Sequence, residues 1–129
     1  MKIRNGFVSN SSSSSFLIYG ITTDEAGIPI SDLTEEALSV ISCFEDIEKI
    51  KETRFVDNDN DGVEYICSKL KIDYWHWYGF WFGKSWDKVG DDQTGKQFKE
   101  EIVEQLKKLI KPESKFWKTL GTHKEAWHD

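Results

Sequence analysis

The stretch that decides the fold of this chain is residues 72–83, IDYWHWYGFWFG. In an extended conformation its side chains point alternately to two faces, and both faces carry large rings. One face holds Tyr74, His76, Tyr78, Phe80 and Phe82, and the other holds Trp75, Trp77 and Trp81. A strand that is aromatic on both sides is covered on both sides or covers a partner. Gly79 and Gly83 indicate bends or close backbone contacts, so the stretch predicts a strand or a bent hairpin.

Two shorter apolar runs complete a predicted sheet. Residues 16–19, FLIY, precede Gly20 and are typical of a buried strand. Residues 116–120, FWKTL, precede Gly121 and predict a final strand. We therefore expect a small antiparallel sheet built from residues 16–20, 72–83 and 115–120.

Two long helices are predicted to cover one face of this sheet. Asp32 and Glu35 have the spacing of a capping box, and an apolar stripe continues from there to residue 54. Thr94 and Gln97 form a second capping-box pattern, which opens a helix that Pro112 ends. The predicted helices therefore span residues 32–54 and 94–111.

A further, short helix is predicted at residues 63–70, where apolar residues recur at helical spacing. A strand at residues 63–67 is the alternative, and it would give the order βαββαβ of a ferredoxin-like fold. The predicted class is α+β in either case. The length of 129 residues fits one domain over residues 1–129, with the serine-rich residues 1–15 packed on it or leading into it.

The most unusual composition lies at residues 11–15, which are five serines in a row. Ile3, Phe7 and Val8 precede them and favour burial, so we expect these three to pack back onto the domain and the serines to form a loop. Hydroxyl and amide groups also hold anions, and serines accept phosphate. The candidates for anion binding or modification are therefore Ser11, Ser12, Ser13, Ser14 and Ser15.

Composition argues against several kinds of site and partner. Cys43 and Cys67 form no CxxC pair, so neither a disulfide framework nor a zinc site is indicated. No apolar run reaches ~18 residues, so no membrane-spanning helix is predicted, and the start lacks the apolar core of a signal peptide. We expect a reducing, intracellular setting. The net charge of −6 is concentrated in residues 1–66, which argues against nucleic acid as a partner.

Residues 57–62, DNDNDG, match the first half of a calcium-binding loop. Asp57, Asp59 and Asp61 would supply oxygen ligands at alternate positions, and Gly62 would allow the sharp turn. The twelfth position is Ser68, where such loops need a bidentate Glu, so bound calcium would be held weakly. A solvated turn rich in Asn and Asp is the alternative.

The tryptophans in and after the aromatic stretch are candidates for partner binding. Large rings of this kind form either the core of a domain or the anchors of a protein interface. In the second case the contacts would come from Trp75, Trp77, Trp81 and Trp86. Nearby lysines would also suit single-stranded nucleic acid, which is the interpretation that the sequence favours least.

An enzyme is the remaining hypothesis. Its nucleophile would be Cys67 or Cys43 and its base His76 or His123, because a thiol needs an imidazole within hydrogen-bond reach. No spacing in the sequence arranges these groups together. We therefore expect a non-enzymatic protein without a cofactor.

The opening residues 1–16, MKIRNGFVSNSSSSSF, resemble the N-terminal signature of a group of small uncharacterised proteins from tailed bacteriophages and some bacterial genomes. DDQTGKQFKE, residues 91–100, and HKEAW, residues 123–127, are similar to two later blocks of such proteins. The resemblance implies a phage or prophage source and the cytoplasm of a bacterial host, and it carries no catalytic residue. We expect an accessory protein that binds a host or viral protein, with a calcium-binding module and a small cysteine–histidine enzyme as alternatives.

Overall fold

The computed structural model describes residues 17–76 and 78–124, which form four α-helices and six strands. The strands are β1 (Leu17–Thr23), β2 (Ile28–Pro29), β3 (Phe55–Val56), β4 (Asp73–His76), β5 (Phe80–Ser85) and β6 (Gly121–Lys124). The helices are α1 (Glu35–Ile41), α2 (Ile47–Thr53), α3 (Gly62–Leu70) and α4 (Gly95–Leu106). Short 3-10 helices lie at Ile30–Asp32, Trp86–Lys88 and Lys115–Thr119. The predicted α+β class is confirmed.

Four of the strands form one antiparallel sheet in the order β4-β5-β1-β6, and β2 pairs with β3 in a separate two-stranded sheet. β4 and β5 are a hairpin whose closing pair is His76 and Phe80. Tyr78 in its loop has a φ of 57°, in the left-handed region that helps a short loop to reverse the chain. The bent-hairpin interpretation of residues 72–83 is therefore confirmed.

The register of the sheet separates two faces. Ile21 of β1 lies opposite Phe82 of β5, which lies opposite Tyr74 of β4, so these three side chains share a face. We call it the helix-covered face, because α4 contacts β1 and β5 while α3 contacts β4. The other face, here called the second face, carries Ile18, Gly20, Thr22, Trp75, Trp81, Gly83 and Ser85.

The main hydrophobic core lies between the helix-covered face and the helices. Phe80 and Phe82 are fully buried there, with ring centroids 5.8 Å apart. Phe98 and Ile102 of α4 pack into the same cluster, as the apolar stripe of that helix requires. Burial of several large rings in one cluster is a large part of what stabilises the fold.

The prediction of one long helix at residues 32–54 is wrong, because the structure divides this stretch into separate elements. The chain forms the 3-10 helix Ile30–Asp32, then α1, then α2, with turns at residues 42–46. The cap of α1 is Thr34, whose hydroxyl accepts a hydrogen bond from the Ala37 N–H at 3.0 Å. Asp32 does not cap the helix, because its carboxylate instead accepts a hydrogen bond from Ser114 at 2.8 Å.

The predicted strand at residues 115–120 is also wrong. Lys115–Thr119 form a 3-10 helix that Ser114 caps by accepting from the Phe116 N–H, and the strand β6 begins at Gly121. Thr119, the last residue of this helix, is bonded to β1, because its hydroxyl accepts from the Thr22 N–H at 2.8 Å. The strand that pairs with β1 on this side, Gly121–Lys124, therefore follows directly after the segment that was predicted to do so.

The remaining helices form where they were predicted, but α4 ends at Leu106 and does not continue to residue 111 before Pro112. Residues 62–70 are the helix α3, so the alternative strand at residues 63–67 and the ferredoxin-like order with it are wrong. The capping box at the start of α4 is present, with the Thr94 hydroxyl and the Gln97 side chain each accepting from the other residue's N–H. None of the helices in the two described ranges is long and apolar enough to cross a lipid bilayer.

Candidate functional site

A groove of about 850 Å³ runs between the end of the four-stranded sheet and helix α4. Its floor consists of the rings of Tyr19 from β1 and Trp86, the first residue after β5. Its wall is the α4 edge with Lys96, Lys99, Val103 and Lys107. These four residues follow at steps of three and four, which places them along one side of a helix.

Trp86 is held on three sides. Its ring meets that of Tyr19 edge-on at 5.9 Å and that of Phe98 at 4.8 Å. Its indole N–H donates to the hydroxyl of Thr122 in β6 at 3.0 Å. Because each partner comes from a different element, the ring is fixed in place and still partly exposed to the groove.

The groove has a positive edge. The ammonium of Lys99 lies 5.6 Å from the ring centre of Tyr19 and 6.0 Å from that of Trp86, so it is attracted to both ring faces. Lys107 is paired with Glu104 at 3.3 Å, and Lys84 beside the groove is paired with Glu101 at 3.3 Å. These ion pairs offset the charges of Lys107 and Lys84, while Lys96 and Glu100 also line the groove; the charge directly over the rings is that of Lys99.

This arrangement can bind an apolar group beside an anion. The lining side chains are those of Tyr, Trp, Val, Lys and Glu, and none of them is a thiol or an imidazole. Flat rings favour an aromatic or aliphatic group, and the ammonium favours a carboxylate beside it. Leu17, two residues before Tyr19 on the same face of β1, is an exposed apolar side chain.

The structure distributes the four predicted tryptophans over different places. Trp75 and Trp81 lie directly opposite each other on the second face, where Trp75 is 5% exposed and Trp81 is partly exposed. Trp86 lies in the groove instead. Trp77 is outside the described residues. The four do not form one described surface, and Trp86 is the one that lines the groove.

The loop at residues 57–62 is organised around Asn60, which is buried. Its side-chain oxygen accepts from the N–H groups of Asp57 and Gly62, and its amide donates to the carbonyl of Phe55 at 3.0 Å. The Asp57 carboxylate accepts in turn from the Asn60 N–H at 2.9 Å. One of the three predicted calcium ligands therefore has a hydrogen-bonding role within the loop.

Within residues 17–76 and 78–124, no group of three or more His, Cys, Asp and Glu side chains is placed to hold a metal ion. Asp59 and Asp61 are exposed, and Asp61 has a φ of 60°. Weak calcium binding by Asp57, Asp59 and Asp61 stays a prediction. The predicted anion-binding or modified serines, Ser11 to Ser15, lie outside the described residues.

The thiols and imidazoles within residues 17–76 and 78–124 have different surroundings. Cys67 is buried in the core, while Cys43 is exposed after α1. The His76 ring stacks on Phe80 at 4.4 Å, and burial lowers its pKa, an effect that the carboxylates of Glu25 and Asp59 oppose. His123 has its Nε2 atom 2.7 Å from the carbonyl oxygen of Thr119. A cysteine–histidine enzyme stays a prediction.

Sequence reasoning missed Tyr19 and Lys99 as members of a site. Tyr19 was expected in the interior of a buried strand, and Lys99 was one of many lysines on a helix. The signal that could have found Lys99 is the stripe of Lys96, Lys99 and Lys107 on one side of α4. No comparable signal connects Tyr19 with Trp86, because only the pairing of β1 with β5 brings them together. Comparison with known proteins finds no matching family model, no matching curated protein and no matching solved structure.

Proposed function

We propose that this chain is a non-enzymatic accessory protein of phage type that acts by binding a host or viral protein in the cytoplasm of a bacterial host. The partner docks in the groove between α4 and the sheet end. The observation that carries the proposal is the Tyr19–Trp86 floor beneath the Lys99 ammonium. The N-terminal resemblance supports the phage origin.

Three properties of the groove support protein binding. Its rings are held by packing and by one hydrogen bond, so a partner meets a surface that is already ordered. Aromatic residues rimmed by charged ones are typical of interface anchors. Its volume of about 850 Å³ is large enough for one or two side chains of a partner segment.

The chemistry of the groove defines the partner segment. An aromatic or aliphatic side chain would pack on Trp86 and Tyr19, and a neighbouring Asp or Glu would approach Lys99 and Lys96. We therefore expect the partner to present an apolar residue beside a carboxylate.

The test compares two lysines that have similar contacts in different places. Lys99 lies over the rings in the groove, whereas Lys69 lies over the Tyr65 ring, 5.6 Å away on α3, outside the groove. Tagged full-length wild type, Lys99→Glu and Lys69→Glu are expressed in phage-infected bacteria, and co-purifying proteins are quantified by mass spectrometry. We expect a partner that Lys99→Glu loses by tenfold or more and Lys69→Glu retains.

The proposal fails if every co-purifying protein is recovered equally with both variants, or if nothing exceeds the untagged control. When a partner is identified, its dissociation constant is measured with purified wild type and with purified Lys99→Glu. That constant should rise for Lys99→Glu and fall with decreasing salt, because a lysine at an interface edge steers association by charge.

A further inference from the structure

The second face of the four-stranded sheet contains a row of glycines that crosses three strands. Gly20 of β1 lies opposite Gly83 of β5 on one side and opposite Gly121 of β6 on the other. A Cβ atom on Gly20 would collide with the carbonyl oxygen of Phe82, and one on Gly83 would collide with that of Tyr19. At Gly20 and Gly83 the surface is therefore bare backbone where a side chain cannot be placed, whereas a Cβ on Gly121 would have its nearest neighbour 4.0 Å away; we call this row the glycine groove.

Larger side chains border this glycine groove. Trp81 and Thr22 form one side, and Ser85 and Ile18 form the other, as the pairing of β1 with β5 requires. An extended segment laid across the strands would fit between these two rows. Its apolar side chains would meet Ile18 on one side and the Trp81 ring on the other.

Part of the second face is buried although the main core lies on the opposite side of the sheet, while Thr22 and Trp81 on the same face are partly exposed. Ile18 is 0% exposed and Trp75 is 5% exposed, yet neither belongs to the hydrophobic cluster that the described helices cover. Ser85 is 5% exposed and its hydroxyl is buried without a hydrogen-bond partner. These buried side chains need a cover that the hydrophobic cluster of the main core does not supply.

Residues 1–16 have the position, length and composition to provide this cover. They join the sheet at Leu17, beside Ile18, at the end where β1 pairs with β6. Sixteen extended residues reach ~50 Å, whereas four strands span ~15 Å. The segment carries apolar residues at Ile3, Phe7 and Val8.

We propose that the second face is the docking site of the chain's own residues 1–16, with Phe7 and Val8 over the glycine groove. The proposal is independent of the groove beside α4, which lies on the helix-covered side. It also gives Trp75 and Trp81 a role, because their rings would contact this segment. A partner protein would reach Trp81 fully only after the segment leaves.

The first test places a photo-crosslinker in the full-length chain. The amino acid p-benzoylphenylalanine replaces Phe7, and in a control it replaces Leu38, which is exposed on α1. After irradiation, mass spectrometry locates the crosslinks. We expect intramolecular links from position 7 to peptides of β1 or β5, and no such links from position 38. Links to α4, or links between two chains, would overturn the proposal.

The second test measures how well the second face is protected. Ser85→Cys in a Cys43→Ser background places a thiol on this face, and the lost hydroxyl had no hydrogen bond to sacrifice. We expect thiol labelling at position 85 to be at least tenfold slower than labelling of Cys43 in wild type. Adding Phe7→Asp and Val8→Asp should raise the labelling rate at position 85 at least tenfold.

Two controls make this measurement decisive. Asn5→Asp with Asn10→Asp adds the same charge without removing apolar groups and should leave labelling slow. Cys67, buried in the main core, should stay unlabelled in every variant that remains folded. If position 85 labels equally fast with and without Phe7 and Val8 while Cys67 stays protected, the segment does not cover this face.

Discussion

At the residue scale, Asn60 is a buried polar side chain that is hydrogen-bonded within its own loop. It is 7% exposed, and its side chain satisfies two N–H groups and one carbonyl in the loop before α3. Gly62 belongs to the same arrangement, because a Cβ there would approach the Asn60 oxygen to 2.7 Å. The DNDNDG pattern is thus a structural loop in its own right, whatever it binds.

Replacement of Asn60 should therefore be costly. Asn60→Ala leaves buried backbone groups without partners and should lower the free energy of unfolding by about 2–4 kcal/mol. Urea denaturation of both proteins measures this. Asn58→Ala, in the same loop, should change stability by less than about 0.5 kcal/mol. Equal effects of the two substitutions would contradict the central role of Asn60.

His76 makes the stability of the fold dependent on pH. Burial lowers its pKa in the folded protein below the ordinary value of 6.5, and the carboxylates of Glu25 and Asp59 oppose this only in part. The unfolded chain therefore binds a proton more readily than the folded one. The contribution of His76 to the free energy of unfolding is therefore fully present above its pKa in the unfolded chain. It is lost as the pH falls through that pKa towards the pKa of the folded protein.

Removing this group should flatten the pH profile. His76→Phe keeps a ring to stack on Phe80 and removes the titration. Between about pH 8 and about pH 5, the melting temperature of wild type should fall further than that of the variant. Parallel profiles for the two proteins, measured by circular dichroism, would show that His76 does not contribute.

At the element scale, the pairing of β1 with β5 depends on backbones that approach closely. Gly83 has a φ of 154°, and its hydrogen points at the carbonyl oxygen of Tyr19 where a side chain would collide. This close pair also brings Tyr19 towards Trp86, because both residues lie near the same end of the two paired strands. The groove beside α4 therefore depends on a glycine outside it.

Gly83→Ala should disrupt this pairing. We expect a loss of more than about 3 kcal/mol in unfolding free energy or a failure to fold, because the colliding atom is backbone and cannot move aside. Gly90→Ala is the matched control. A Cβ there has its nearest contact with Gln93 at 3.6 Å, so the stability should stay within about 1 kcal/mol of wild type. Similar stability of the two variants would refute the argument.

The helices show which local signals are reliable. The capping box of Thr94 and Gln97 forms as its spacing predicts, since both partners lie within one turn of the same helix. The similar spacing of Asp32 and Glu35 does not form a cap. The Asp32 carboxylate accepts a hydrogen bond from Ser114, which is 82 residues away in sequence, and Thr34 caps the helix. Asp32 itself lies in the preceding 3-10 helix, so its spacing to Glu35 does not mark the start of α1.

At the scale of the whole molecule, one aromatic cluster joins the sheet to α4. Phe82 is fully buried at its centre, with the Tyr74 ring at 6.4 Å and the Phe80 ring at 5.8 Å. Trp86 packs on Phe98, so the floor of the groove is continuous with this core. Binding in the groove and stability of the fold are therefore linked through the same rings.

Truncating the central ring should weaken the entire fold. Phe82→Ala should lower the free energy of unfolding by about 3–5 kcal/mol, because it removes the buried ring and leaves a cavity. Leu38→Ala, at an exposed position on α1, should cost about 1 kcal/mol or less. Urea unfolding, followed by tryptophan fluorescence, measures the stability of both variants. A small effect of Phe82→Ala would contradict the central position of Phe82 in the core.

The sequence by itself determined the α+β class, the hairpin at residues 72–83, the short helix α3 and the capped start of α4. Each of these depends on contacts within a few residues, such as a capping hydrogen bond, a periodic stripe or a turn at Tyr78 and Gly79. Local interactions of this kind are visible as spacing.

Only the tertiary structure decided the break between α1 and α2, the 3-10 helix at Lys115–Thr119, and the groove of Tyr19 and Trp86. These features rest on partners far apart in sequence, as the bond from Thr22 to Thr119 across 97 residues shows. Which distant groups meet depends on the order β4-β5-β1-β6, and that order follows from packing of the whole chain rather than from any single segment.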